Sequence, residues 1–333
     1  MDMFGFAENN RQRIVGIGSA LVDILIHGDD DFLKIAGAVK GGMSLVDKEH
    51  IERTLEVFSG TSVVVPGGSA CNTTVGIGQL GGIARFVGNC GKGDMANLIE
   101  EDLRKYCVEP ALFRSDSPTG KVLSIVTPDA QRSMLTFLGA SAETQPEEIT
   151  AKCFEGAAIV HVEGYLLFNP ALIRAALRAA KKAGAKVSLD LASFTVVEES
   201  RKLLDELVET YVDILLANED EANAFTGYSD ELLALEALSS NVDLAVLKVG
   251  HRGSYIAYRG KTIVIKPMGD GSALDTTGAG DLWAAGFLFG LVNGESLEKC
   301  GQLGSACGYE VCQVIGTKIP EDGWERIKKL LSK

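Results

Sequence analysis

The chain has 333 residues, 46% of them hydrophobic and 23% charged, which is globular composition and excludes a disordered chain. That length fits one large α/β domain with a small appendage, or two ordinary domains. With 32 basic against 45 acidic residues the formal net charge is −13, a field that repels phosphodiester backbones and argues against nucleic acid as a partner while leaving small anionic substrates open.

From the N-terminus, Met1 to Arg13 carries Asp2 and Glu8 and no apolar run, so no signal peptide is expected. No stretch offers ~18 uncharged apolar residues, so no membrane span is expected. Gly16-Ile17-Gly18-Ser19-Ala20-Leu21-Val22-Asp23 follows a strand. It lacks the third glycine of a dinucleotide fingerprint, because Leu21 stands there. Asp23 can grip a sugar diol, or simply mark a surface turn. Leu21–Asp47 and Lys121–Phe137 read as extended, polar-interrupted segments with no crossover helix following. We expect them to form a small antiparallel sheet, either a lid or an ordinary hairpin insertion. On that division residues 21–47 and 121–140 make the small β lid, and residues 1–20, 48–120 and 141–333 the large α/β domain. Pro66-Gly67-Gly68-Ser69-Ala70-Cys71-Asn72 leads into a helix over Thr73–Leu80. A glycine pair there lets a polar ligand approach the backbone, and Asn72 offers a donor and an acceptor to hydroxyls. A tight turn would read the same way.

The middle of the chain alternates. Ala157–Val162 is strand-like, Pro170–Ala183 an amphipathic helix, Lys186–Leu191 a strand, and Lys202–Glu209 helical. Ile214–Ala217 is again a strand, Glu219–Phe225 a helix stopped by Gly227, and Leu244–Val249 another strand. Repeated βαβ units imply a parallel sheet with helices on both faces, whose ligands bind beyond the C-terminal strand ends. Asn218-Glu219-Asp220-Glu221 sits at one such end, where oxygen ligands suit Mg²⁺ directly or through water, and where acidic N-cap chemistry is the alternative. The strongest local signal is Asp275-Thr276-Thr277-Gly278-Ala279-Gly280-Asp281 before the apolar helix Leu282–Val292. Small residues at 278–280 let unpaired N–H groups converge at a helix start, making an anion hole. Asp281 beside it is suited to accept a proton from an attacking hydroxyl, unless it only stabilises the helix. Seven cysteines (Cys71, Cys90, Cys107, Cys153, Cys300, Cys307, Cys312) are odd in number and form no CxxC pair, which reads as reduced thiols of a cytoplasmic protein.

In this order the motifs closely resemble the ribokinase-like (PfkB) carbohydrate kinase family, over roughly residues 14 to 320. The resemblance implies a doubly wound, mostly parallel α/β sheet with a small β-sheet lid, and ATP-dependent phosphorylation of a sugar or nucleoside hydroxyl. It implies Asp281 as catalytic base, Gly278, Ala279 and Gly280 as anion hole, and Arg132 as a lid arginine reaching the transferring phosphate. Asp23, Gly67, Gly68 and Asn72 match sugar-contacting positions, and Tyr165 can stack on a base. Asn218 and Glu221 match the metal-associated motif for Mg²⁺. Lys248, Gly250 and Gly253 match the stretch near the ATP phosphates, and the segment starting at Ser305 the helix beside the nucleotide base. Asp275 and Thr277 occupy positions that help bind a monovalent cation, usually K⁺, in many members. Within the family the chain is most similar to bacterial adenosine kinase-like members, through Gln131-Arg132-Ser133-Met134, Glu163-Gly164-Tyr165-Leu166 and Asp281–Phe287. It departs from them at Ser19, where such kinases carry Asn. A sugar kinase of the same family is the alternative. A nicotinamide-dependent oxidoreductase lacks its glycine here. A non-catalytic nucleoside or sugar binder has no use for the base. An exposed lid sheet can serve as a homodimer interface or simply move.

Overall fold

The computed structural model describes Phe4, Phe6 and residues 12–331, so the N-terminal segment expected to lack a signal peptide lies almost wholly outside the described residues. The first half of the chain runs β1 (Arg13–Ile17), β2 (Leu21–His27), α1 (Asp30–Ala36), β3 (Met43–Leu45), α2 (Lys48–Val57), β4 (Val63–Gly67), α3 (Ser69–Gln79), β5 (Ala84–Cys90), α4 (Asp94–Lys105), β6 (Val108–Arg114), β7 (Thr119–Val126) and β8 (Arg132–Gly139). The second half runs β9 (Ala157–Glu163), α5 (Pro170–Lys182), β10 (Lys186–Asp190), α6 (Phe194–Tyr211), β11 (Ile214–Asn218), α7 (Glu219–Thr226), α8 (Glu231–Leu238), β12 (Leu244–Lys248), β13 (Ser254–Tyr258), β14 (Lys261–Ile265), α9 (Ala279–Val292), α10 (Leu297–Val311) and α11 (Glu321–Leu331).

The large sheet has nine strands in the order β14-β13-β12-β11-β10-β9-β1-β5-β6, parallel from β12 to β6 with β13 and β14 added antiparallel. Its central strands are uninterrupted apolar runs because helices cover both faces. One face packs against α3, α4 and α9–α11, the other against α5–α8. Every residue of Leu282–Val292 is buried, as expected for a helix apolar on nearly all sides. The chain moves outward from β1 to β6, then returns to the other side of β1 as β9. The strand order therefore reverses between β1 and β9, which places a ligand crevice beyond their C-terminal ends.

The smaller sheet departs from the expected antiparallel hairpins. It has five strands in the order β3-β8-β7-β2-β4, and β2–β7 and β3–β8 pair in parallel. Parallel pairing follows from the route of the chain, which leaves after β4 to build β5 and β6 and re-enters as β7. The sheet also takes in Val63–Gly67, outside the two segments read as a lid. The stretch 21–47, expected to be extended throughout, folds α1 into its middle. Asp29 caps that helix by accepting the Phe32 N–H, and Gly37 closes it in the left-handed conformation. With α2, it covers one face of the small sheet around Ile24, Ile26, Ile51, Leu123, Ile125 and Leu135. By the period-two pleat, the opposite face presents Leu21, Asp23, Val122, Arg132, Met134, Thr136 and Leu138 to a cavity.

Candidate active site

That cavity, of about 600 Å³, lies between the small sheet and the C-terminal strand ends of the large one. Ser19, Asp23, Gly68, Asn72, Arg132, Tyr165, Asn218, Glu221, Lys248, Gly250, Gly253, Gly278, Ala279, Gly280, Asp281 and Ser305 all line it, although they span most of the sequence. Gly67, Asp275 and Thr277 lie behind its wall.

Asp281 stands in the first turn of α9. The Ser69 hydroxyl donates to its Oδ1 at 2.8 Å and the Asn72 amide to its Oδ2 at 2.9 Å. Thr73 Oγ1 donates to its backbone oxygen at 3.1 Å, so α3 holds both ends of the residue. Burial pushes the Asp281 carboxyl up, against the opposing hydrogen bonds of Asn72 and Ser69 and the charge of Arg132. Asn72, read as a sugar contact, thus spends its amide on the carboxylate. Beside it the N–H groups of Gly278, Gly280 and Asp281 make no backbone hydrogen bond among the described residues, and they point along the positive end of the α9 dipole. The approach of α3 needs a glycine at its N-cap. Gly68 has φ 103°, and a Cβ there would lie 2.1 Å from the Ser19 carbonyl oxygen.

Asp23, on β2, is buried to 4% exposure, and its carboxylate accepts no hydrogen bond among the described residues. Burial raises its carboxyl to about 6, with Arg132 opposing. Gly67 is the strand residue that makes room for this carboxylate, since a Cβ there would fall 2.4 Å from Asp23 Cγ. Arg132, at the start of β8, forms no ion pair or hydrogen bond through its guanidinium among the described residues. A buried acid and an unpaired cation therefore face the same cavity, free for a ligand. The Tyr165 hydroxyl donates to the Ala192 carbonyl oxygen at 3.2 Å, which fixes its ring in the wall.

At the other end, Asn218 and Glu221 form a reciprocal cap on α7. The Asn218 N–H and side-chain amide each donate to a Glu221 oxygen, and Asn218 Oδ1 accepts the Glu221 N–H, all at 2.8 Å. Both Glu221 oxygens are engaged, so a cation here fits through water rather than by direct ligation. Burial, then the neighbouring Asp190, push the Glu221 carboxyl up. Lys248 Nζ donates to Asp190 Oδ2 at 2.7 Å in a nearly buried ion pair. It stands 3.3 Å from where a Cβ on Gly280 would be, over the unpaired N–H groups. Burial works against the Lys248 charge, and Asp190 and Glu221 outweigh it. Asp275, with no exposed surface, accepts from the Thr277 N–H and hydroxyl and from the Gly316 N–H. It forms no ion pair among the described residues.

Four contributors went unassigned in the sequence. Ser69 and Thr73 flank Asn72 and could have been found from their helical spacing on the same turn. Glu163 and Asp190 end two strands, and an acid at the C-terminal end of a parallel strand was the available signal. One further contact ties the segment before α9 to the small sheet, where Thr276 Oγ1 donates to the Ala130 carbonyl oxygen at the β7–β8 turn, 2.9 Å away.

These acids set a pH dependence. Burial raises Glu163 to about 7 and Asp23 to about 6, whereas it lowers the core residue His161 to about 4. A raised carboxyl stabilises the fold in its protonated form, so that contribution is lost as pH rises through 6 and 7. His161 acts oppositely, contributing above about 6.5 and losing its effect toward 4. Without ligands, Tm by scanning calorimetry is therefore expected to rise by about 1–2 °C from about pH 8 to about pH 6 through these three groups, and further through the raised Glu221 carboxyl, which acts in the same direction. A flat profile would show these acids to ionise as easily in the fold as in the unfolded chain.

The described residues contain no helix long and apolar enough to cross a membrane. The model of the pfkB family carbohydrate kinases matches residues 43–323. The structure superposes on a probable sugar kinase from Rhizobium etli CFN 42 with a TM-score of 0.91 at 32% identity, covering 96% of this chain and 98% of that one. Adenosine kinase from Sinorhizobium meliloti gives 0.90 at 33% identity, covering 96% and 99%. The nucleoside kinase of Methanocaldococcus jannaschii is 28% identical over 285 residues, 82% of this chain and 89% of its own length.

Proposed function

The chain belongs to the pfkB family of carbohydrate kinases, and from that premise we propose that it transfers the γ-phosphoryl of ATP to the primary 5′-hydroxyl of a nucleoside, adenosine first among them. The observation that carries this reading is the wall around Asp23. Leu21, Met43, Met134, Leu138, Phe168 and Tyr165 line that end of the cavity. A bare sugar needs hydroxyl partners on every side, whereas a base needs an apolar, aromatic slot with few polar groups. Asp23 would take the ribose diol, and the flat apolar wall the base. The likeness to adenosine kinase from Sinorhizobium meliloti supports the same choice.

In this reading Asp281 accepts the proton of the attacking hydroxyl, held in aim by Ser69 and Asn72. The N–H groups of Gly278, Gly280 and Asp281, with Lys248 and Arg132, receive the charge of the phosphoryl oxygens, whereas the Ala279 N–H, expected to join them, is spent on the Thr276 carbonyl oxygen at 3.1 Å; positioning does most of the catalysis. Mg²⁺, which such kinases usually use, would neutralise phosphate charge, and Asn218 and Glu221 would hold it through water. The buried Asp275, which has no cationic partner among the described residues, fits a monovalent cation such as K⁺ nearby. The small sheet, including β4, would act as the lid that excludes water. The test is ATP consumption with Mg²⁺ and K⁺ across adenosine, other nucleosides, ribose, fructose and ketodeoxy sugars. AMP formation from adenosine is expected, with KM in the range of about 1 μM to 1 mM. Turnover of a bare sugar alone would overturn the nucleoside assignment, and adenosine binding without turnover would favour a sensor.

A further inference from the structure

Resting on that reading of Asp281 and Asp23, we infer that Glu163 is a positioning residue, a carboxylate strap that sets the spacing between the base and the acceptor-gripping acid. Glu163 ends β9 at 1% exposure. Its Oε1 accepts the Ser19 N–H at 2.7 Å and its Oε2 the Ala70 N–H at 3.0 Å. Each of these donors leads directly to a functional group. Ala70 lies between Ser69 and Asn72, the two side chains that hold Asp281. Ser19 opens the turn into β2, which delivers Asp23 four residues later.

Room for the strap has been made at a third point. Gly18 leaves space that a Cβ would fill at 2.1 Å from Glu163 Oε2. Such crowding ties the tip of β9 to the loop after β1 at the reversal of strand order. The ionisable groups around Glu163 include Asp281 from α9, Cys71 from α3, Tyr165 following β9, and Asp190, its register partner on β10, which is paired with Lys248 from β12; Arg132 of β8 acts on Asp281 and Tyr165. Glu163 enters no ion pair among the described residues. Only the ionised form accepts both N–H groups with equal ease; a protonated carboxyl presents an O–H to one of them. Burial raises this carboxyl to about 7, so the strap loosens within the ordinary working range of pH.

Glu163→Gln keeps the volume and must turn its NH₂ toward one of the two donors. Glu163→Asp keeps the charge and is too short to reach both. Circular dichroism confirms that a variant is folded, and Glu163→Asp serves if Glu163→Gln is not. The first readout, amide hydrogen exchange over residues 16–23 and 67–73, needs no acceptor and stands apart from the kinase reading. Exchange at Ser19 or Ala70 is expected to quicken about tenfold in either variant; unchanged exchange at both overturns the strap, whatever the enzyme phosphorylates. The second readout is kcat against pH with the acceptor that the panel identifies. Misplacing Asp281 is expected to lower kcat about 10- to 100-fold. The acidic limb near pH 7 is expected to persist in Glu163→Asp and to move to lower pH in Glu163→Gln. A Glu163→Gln enzyme with wild-type kcat and an unmoved limb overturns the proposal.

Discussion

Asp281→Asn is expected to lower kcat by about three orders of magnitude while acceptor affinity stays within a few-fold of wild type. The geometry makes the substitution clean. Asn keeps the size and planar shape of the carboxylate, so α9 retains its first turn and the Thr73 contact to the backbone oxygen at 281 is untouched. The Ser69 hydroxyl can rotate to donate or accept, and the Asn72 amide can turn to offer its carbonyl. Both partners of the lost carboxylate can therefore be satisfied. What disappears is the carboxylate that α9 carries in its own first turn, beside its unpaired N–H groups.

Four other buried acids, Asp23, Glu163, Asp190 and Glu221, line the same cavity and stand as rival bases; Asp190 is paired with Lys248, and Glu221 accepts from the Asn218 N–H and side-chain amide. Glu163 already accepts two backbone N–H groups, and Asp23 lies on the small sheet, away from the start of α9. Single-turnover phosphoryl transfer with acceptor already bound isolates the chemical step, and calorimetric titration reads acceptor binding. A kcat within tenfold of wild type would remove Asp281 from the base role. A parallel loss of binding would make it a substrate contact instead.

The parts of the fold legible in the sequence are those whose signal is local. The apolar runs at 157–162, 186–191, 214–217 and 244–249 all became parallel strands, and Gly227 closes α7 in the left-handed conformation. The start of α9 was equally plain, because small residues before an apolar helix announce themselves within ten positions. The small sheet was not. Its β2–β7 pairing joins residues about a hundred positions apart, and nothing in either segment specifies a parallel neighbour. Helix α1 was missed for another reason: the stretch 21–47 was read as extended and polar-interrupted, yet Asp29 is a cap and Asp30 and Asp31 a favourable first turn. Glu163 and Asp190 show the limit most directly. Each is a single acid at a strand end, and its partners lie up to 144 residues away. Only the topology brings those donors to it.

Lys248→Met is expected to cost about 3–5 kcal/mol of stability and to reduce kcat/KM for ATP by at least about 100-fold. Both effects follow from where the ammonium sits. The Lys248 and Asp190 side chains are only 12% and 8% exposed, so removing one charge strands the other in a poorly solvated place. Glu221 lies close enough to sustain the Lys248 charge and would be left with the same uncompensated neighbourhood. Part of the stability loss is then relieved toward lower pH, because Glu221, whose carboxyl burial and Asp190 already push up, can protonate. The activity loss has a separate origin: Lys248 Nζ overhangs Gly280, where phosphoryl oxygens would meet the α9 N–H groups, and Met offers them no charge. Adding Asp190→Asn to Lys248→Met separates the two, since it removes the stranded carboxylate without restoring the cation. The double variant is expected to recover most of the lost stability in urea unfolding, yet to keep the defect toward ATP. If it recovers both, Lys248 serves only to neutralise Asp190, and the phosphates are held by the backbone and Arg132 alone.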